Sequence, residues 1–315
     1  MNIMIIGSNG YTGSRIHSHL AKLKHNVTGI DLNWFGNPSN HPYRLQDFAD
    51  ITAEQYAQYD AIILLAGHSS VNMCKNDLYS SYNNNVHNFA RMLQRINKQL
   101  VIYASSSSVY GNHPKPLATE TDGLHRPVNA YDCTKQIIDQ LALTSNKNCV
   151  GLRFGTVCGP SANFRKDVMI NAMTHNAIRN KQVQVFNGNT RRSILCIDDL
   201  CSAVETILNR WVSNNEVSAS PHSGVFNIAS FHSTSLSIGE TVAAVVGVPL
   251  TNADVVDSFN EKMCQTTYDF HVDTTAFCEQ YNFAFQGTCE SITQNIVSQY
   301  TNCLPTDRNQ EITYE

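Results

Sequence analysis

The chain has 315 residues, of which 42% are apolar and only 15% charged, where a soluble domain ordinarily carries about 25% charge. A net charge of −4 argues against a protein that coats nucleic acid, which needs a broad basic surface, but leaves room for a local pocket that holds one phosphorylated small molecule. No run approaches the roughly 18 uninterrupted apolar residues of a membrane helix, so neither a membrane nor a nucleic acid is expected as a partner.

At roughly 100–200 residues per domain the length fits one large domain or two intertwined ones. The opening Met1–Ile6 stretch is apolar but stops at Gly7, with no basic leader or cleavage site, and reads as a strand and not a signal peptide. Ten cysteines are scattered with no CxxC pair and no Cys/His set at zinc spacing. They read as reduced thiols in a cytoplasmic protein with no catalytic metal.

Apolar strand-like runs occur at residues 2–6, 26–31, 61–66, 100–104 and 150–154. Between them, Ile16, Leu20 and Leu23 share one helical face, Val86, Phe89, Ala90, Leu93 and Ile96 another, and Ile137, Ile138, Leu141 and Ala142 a third. Continuous apolar strands alternating with helices predict an α/β fold with a doubly wound parallel sheet covered on both faces. Past residue 156 the pattern loosens. Helices are expected over 167–179 and 199–211 and short strands near 183–186 and 225–228, which mixes returning sheet elements with a smaller mixed α/β lobe. The polar segment 305–315 reads as a frayed tail.

Gly7-Ser-Asn-Gly10-Tyr-Thr-Gly13 directly follows the first strand and opens the first helix. Glycines there permit a tight turn and let backbone N–H groups approach a pyrophosphate at the helix N-terminus. The second strand ends at Asp31, whose carboxylate suits the adenosine ribose hydroxyls and would repel a 2′-phosphate. No Arg follows it immediately, so the expected cofactor is NAD and not NADP. Further on, Tyr131 and Lys135 form a YxxxK pair on one helix face. Upstream, Tyr103-Ala-Ser-Ser-Ser-Ser-Val-Tyr110-Gly111 closes the fourth apolar run, where ligands of parallel sheets bind.

These motifs, with Asp47-Phe48, Leu65-Ala66-Gly67, Asn85, Arg153-Phe-Gly-Thr-Val-Cys-Gly-Pro160 and Arg192…Asp198-Asp199, occur in the order found in extended short-chain dehydrogenase/reductases of the nucleotide-sugar epimerase/dehydratase group, which the chain resembles over about residues 1–300. The resemblance implies a Rossmann-type NAD-binding domain over residues 1–157 plus about 194–230. It implies a nucleotide-sugar-binding lobe over 158–193 plus about 231–304. It places Gly7, Gly10, Tyr11, Thr12, Gly13, Asp31, Asp47, Phe48, Leu65, Ala66, Gly67, Asn85 and Ser105 on the cofactor, with Asp47 and Phe48 beside the adenine. Ser106, Tyr131 and Lys135 become the catalytic set, Tyr131 and Lys135 also touching the cofactor. Ser106, Ser107, Tyr131, Asn171 and Arg192 face a nucleotide-diphosphate sugar. Phe186 could stack on the base or equally fill the core.

A free tyrosine titrates near 10 and is a poor base at neutral pH; lowering it by ~3 units takes about 4 kcal/mol. Lys135 and a nicotinamide cation are expected to supply that by proximity. Tyr131 would then take a proton from a sugar hydroxyl while hydride leaves the same carbon, with Ser106 holding the oxygen. Arg192, a planar fork, suits a diphosphate. Ser107 and Ser108 stand where dehydratases and decarboxylases of the group carry an acid, which leaves oxidation, rotation and reduction: C4 epimerisation with retained NAD. The alternatives are an NAD(P)H-dependent keto-sugar-nucleotide reductase, then a 4,6-dehydratase or a non-catalytic dinucleotide-binding protein. Arg165 or Lys166 could meet a phosphate or a sugar carboxylate, although solvated loop charges fit the pattern better. By resemblance, the two helices near 85–98 and 131–144 pair in a homodimer.

Overall fold

A computed structural model describes residues 1–214, 223–252 and 268–302; the tail 305–315 lies outside them. The central sheet has seven strands: β1 Asn2–Ile6, β2 Asn26–Asp31, β3 Tyr43–Leu45, β4 Ala61–Leu64, β5 Leu100–Ser106, β6 Cys149–Phe154 and β7 Gly224–Ile228. Their order is β7-β6-β5-β4-β1-β2-β3, and every neighbouring pair is parallel. The chain moves outward from β1 to β3, then returns to the other side of β1 with β4. Between β1 and β4 the strand order therefore reverses, which opens a crevice beyond their carboxyl ends.

The alternating pleat explains the continuous apolar strands. Ile3, Ile5, Ala61, Ile63, Ile102 and Leu152 face one core, with helices Tyr11–Lys22 and Ile197–Asn214. Met4, Ile6, Ile62, Leu64, Val101 and Tyr103 face the other, with helices Asn88–Arg95 and Ala130–Thr144. Each fully buried isoleucine contributes roughly 1.5–3 kcal/mol relative to exposure. The helical stripes at 86–96 and 138–142 are spent on this second core: Phe89, Leu93, Ile96, Ile138 and Ala142 are all buried in it.

A smaller lobe packs Cys158, Ile170, Val183, Ile194, Ile238 and Ile292 between helices Met169–Asn180, Ser235–Val246 and Cys289–Asn302 and short strands. Strand Arg191–Cys196 is shared, since Ile194 points into the lobe and Leu195 into the first sheet core. Helix Thr275–Tyr281 returns to the sheet, burying Phe277 and Tyr281 there. Strand β3, half exposed and only three residues long, has no apolar run and is not legible in the sequence. Among the described residues no helix is long and apolar enough to cross a membrane, and no cluster of three His, Cys, Asp or Glu is placed to hold a metal.

Candidate active site in the crevice

The glycine turn is shaped by contacts that admit no side chain. Gly7 has φ +88, and a Cβ there would lie 2.6 Å from the Ala66 nitrogen. A Cβ on Gly13 would lie 1.9 Å from the Gly7 carbonyl oxygen. The turn is thus pressed against the Leu65–Ala66 backbone and the helix start against the turn. Gly10 is the N-cap of helix Tyr11–Lys22 and has no side chain to cap it, which leaves that helix end suited to an anion. Asp31, at the end of β2, accepts from the Asn9 N–H at 2.9 Å and the Asn33 N–H at 2.6 Å. A carboxylate has lone pairs left for ribose hydroxyls after two such bonds. This backbone cradle and acidic rim fit a dinucleotide.

Other residues on the cofactor side act through their neighbours. Asn85 lies in a π-helical turn, Asn83–His87, a winding often found at functional sites. Its Oδ1 accepts from His68 N–H at 2.8 Å, and its Nδ2 donates to the His68 carbonyl and to Thr134 Oγ1, each at 3.1 Å. A Cβ on Gly67, at φ +137, would strike Asn85 Oδ1 at 2.4 Å. Asn85 therefore fixes the Gly67–His68 loop and ties it to the helix of Tyr131. Asp47 caps a short turn by accepting from Ala49 N–H at 2.9 Å. Phe48 is buried in the second core, so its ring is not free to flank an adenine. Leu65, Ala66 and Thr12 are half-buried along the crevice, and Ser105 is buried at the end of β5.

Ser106, Tyr131 and Lys135 converge. Ser106 ends β5 and caps the turn Ser107–Tyr110, which begins with half-buried Ser107. Its hydroxyl accepts from the Ser108 N–H at 3.2 Å and is near enough to the Tyr131 phenol to pull its titration down. Lys135 Nζ donates to the Ala104 carbonyl at 2.7 Å and lies 5.7 Å from the centre of the Tyr131 ring. Burial holds the Lys135 ammonium down at about 8 against the pull of Asp139. Tyr131 is pushed up to about 12 by burial, while the Ser106 hydrogen bond and the Arg165 charge pull it down. On protein groups alone, loss of hydration outweighs the groups that would make Tyr131 acidic, which leaves the expected lowering to the nicotinamide cation.

Arg165 is an ion-paired loop charge, its side chain 31% exposed and its partner Asp167 more exposed still. Its guanidinium is gripped by both Asp167 oxygens, at 2.9 and 2.5 Å, and its charge acts on the phenols of both Tyr131 and Tyr11. Its charge therefore lies within electrostatic reach of the two crevice phenols. Lys166 is exposed.

Asn171 and Tyr11 form a lock between the two halves. Asn171 is fully buried; its Oδ1 accepts from Gly159 N–H at 2.9 Å, and its Nδ2 donates to Tyr11 Oη at 3.1 Å and the Arg165 carbonyl at 3.0 Å. Tyr11 Oη donates to the Gly159 carbonyl at 2.8 Å, and Ser161 Oγ donates to the Tyr11 carbonyl at 2.7 Å. Both amide hydrogens of Asn171 are spent, so in this state it has none for a diphosphate. Arg192 is half-buried, and its Nη1 donates to the Tyr268 carbonyl at 2.6 Å. Phe186 is 53% exposed and does not fill the core. The network joining Tyr268, Asp132 and Asn129 behind Tyr131 has no local sequence signal, since Tyr268 lies 136 residues from Asp132.

A family profile, the NAD dependent epimerase/dehydratase family, matches residues 3–229. Protein CapI of Staphylococcus aureus is 30% identical over 69% of this chain and 72% of its own. UDP-glucuronate 4-epimerase 1 of Arabidopsis thaliana is 26% identical over 64% of this chain, which spans only 53% of that relative. In fold, the UDP-glucuronic acid 4-epimerase of Bacillus cereus, solved with UDP-glucuronic acid and NAD, superposes with a TM-score of 0.77 at 18% identity over 96% of this chain and 99% of that one. The Rossmann-like sheet, the dinucleotide cradle and the profile spanning both together establish that this chain belongs to the NAD-dependent epimerase/dehydratase family.

Proposed function

We propose that the protein is a nucleotide-sugar 4-epimerase that takes a UDP-linked uronic acid, UDP-glucuronate being the first candidate. The observation that carries this reading is the convergence of Ser106, Tyr131 and Lys135 at the switch-point crevice, within electrostatic reach of Arg165. A guanidinium within reach of the acid–base group suits a sugar that bears a carboxylate, which would take the place of Asp167 on it. The relatives named UDP-glucuronate 4-epimerase support the same substrate class.

Gly7, Gly10 and Gly13 would hold the pyrophosphate of NAD, and Asp31 its adenosine ribose. When bound, NAD supplies the reversible hydride acceptor and a positive ring. The chain's own residues do the rest. Tyr131 accepts the proton of the 4-hydroxyl when the sugar is oxidised and returns it when the ketone is reduced. Burial pushes that phenol up to about 12 on protein groups alone, so its acidity depends on a further cation, which an oxidised nicotinamide would supply when bound. Ser106 steadies the oxygen that changes bond order. Asp132, the acid next to Tyr131 in sequence, is committed to the helix cap and to Tyr268, which disfavours the acid-assisted loss of water of a dehydratase. Arg192 is poised for the diphosphate and Phe186 for the base. The reading includes a cytoplasmic homodimer, by family likeness.

Purified protein given UDP-glucuronate and no added NAD should yield UDP-galacturonate, with inversion at C4 followed by proton NMR. A demand for stoichiometric NAD(P)H would convert the assignment to a reductase, and loss of water or CO2 would replace it by an eliminating enzyme.

A further inference from the structure

The first turn of the Tyr131 helix is held by a clamp whose other half comes from the far end of the chain. Asn129 opens the helix, its Oδ1 accepting from Asp132 N–H at 3.0 Å. Fully buried Asp132 reciprocates, accepting from Asn129 Nδ2 at 3.0 Å and Val128 N–H at 3.2 Å. Such a reciprocal cap satisfies a helix start by itself. Tyr268 is added to it: its Oη lies 2.8 and 2.6 Å from the two Asp132 oxygens and accepts from Asn129 Nδ2 at 2.9 Å.

The backbone of this tyrosine is anchored in turn to the substrate lobe. Its carbonyl accepts from Arg192 Nη1 at 2.6 Å. The next residue, Asp269, accepts from both the backbone N–H and the guanidinium of Arg191. A charged diphosphate is a stronger acceptor for a guanidinium than a neutral carbonyl. Only Nη1 is engaged there, so an anion that binds the remaining N–H groups of Arg192 and draws the guanidinium toward itself pulls on the hydrogen bond that seats Tyr268.

We propose that Tyr268 is a positioning residue for Tyr131: seated on Arg192 through its carbonyl and on Asp132 and Asn129 through its phenol, it transmits anion binding at Arg192 to the turn that carries Tyr131. This deepens the reading of Arg192 as the diphosphate clamp and Tyr131 as the acid–base group, and rests on it. It gives the enzyme a means to set its acid–base phenol only when the nucleotide end of a substrate is in place.

The test is amide hydrogen exchange of the NAD-loaded protein with and without UDP, followed at residues 129–135, for the unmodified chain and for Tyr268→Phe. UDP should change exchange at this turn by about tenfold in the unmodified chain, the scale of one hydrogen bond to a charged group, and by less than about twofold in the variant. Asp132→Asn, which keeps the side-chain shape but weakens the acceptor, should reduce the response in the same direction. No UDP-dependent change at this turn in the unmodified chain, or an undiminished change in the variants, overturns the proposal. A Tyr131→Phe chain that kept full turnover would instead overturn the catalytic reading and leave the exchange result standing.

Discussion

The two walls of the crevice are built by different means. On the cofactor wall, backbone meets backbone: Gly7 against Ala66 and Gly13 against Gly7, with contacts too close for any Cβ. On the opposite wall side chains interlock: Asn171 with Tyr11 and Tyr268 with Asp132 across long stretches of chain, and Arg165 with Asp167 within one loop. The first wall offers N–H groups at a fixed place and suits a ligand that stays. The second can rearrange by exchanging one hydrogen bond for another, which suits a ligand that enters, turns and leaves.

The largest effect should come from filling the backbone wall. Gly13→Ala must displace either the helix start or the glycine turn, costing about 3 kcal/mol or more of stability and abolishing NAD retention. Denaturant melts and the absorbance of released cofactor check both; a variant with normal stability would show that the contact is slack. Asn171→Ala breaks the lock and leaves the Gly159 N–H and the Arg165 carbonyl without their partner, an expected loss of about 1–3 kcal/mol. If Asn171 serves only the lock, KM for the nucleotide sugar should change in step with stability and be restored where the fold is restored, for example at lower temperature. A large KM defect in a fully folded variant would return Asn171 to the diphosphate.

A smaller effect is expected from pH. Burial holds folded Lys135 at about 8, below the ordinary lysine value, so between those two values the unfolded chain binds more protons than the folded one. The stability contributed by this group therefore rises as pH climbs through that window. Urea melts of the unmodified chain and Lys135→Met should diverge in favour of the unmodified chain from pH 7 to pH 9, and a constant difference would mean that Lys135 titrates normally.

What was legible in the sequence follows the same division. GxxGxxG, Asp31 and YxxxK are short-range spacings in elements with strong periodicity, and each appears at the predicted strand end or helix face. The seven-strand sheet was readable except for β3, too short and too exposed to announce itself. The opposite wall was not readable because its meaning lies in pairings 136 residues apart or within a loop of no period. The sequence showed an ammonium four residues from Tyr131 but not the burial that opposes it.

The central claim is that Tyr131 exchanges a proton with a sugar hydroxyl. The most direct measurement is single-turnover conversion of UDP-glucuronate by the NAD-loaded Tyr131→Phe chain beside the unmodified one. Loss of the positioned acid–base group should lower the rate about 10²–10⁴-fold with the cofactor still bound. Conversion at an undiminished rate would contradict the account.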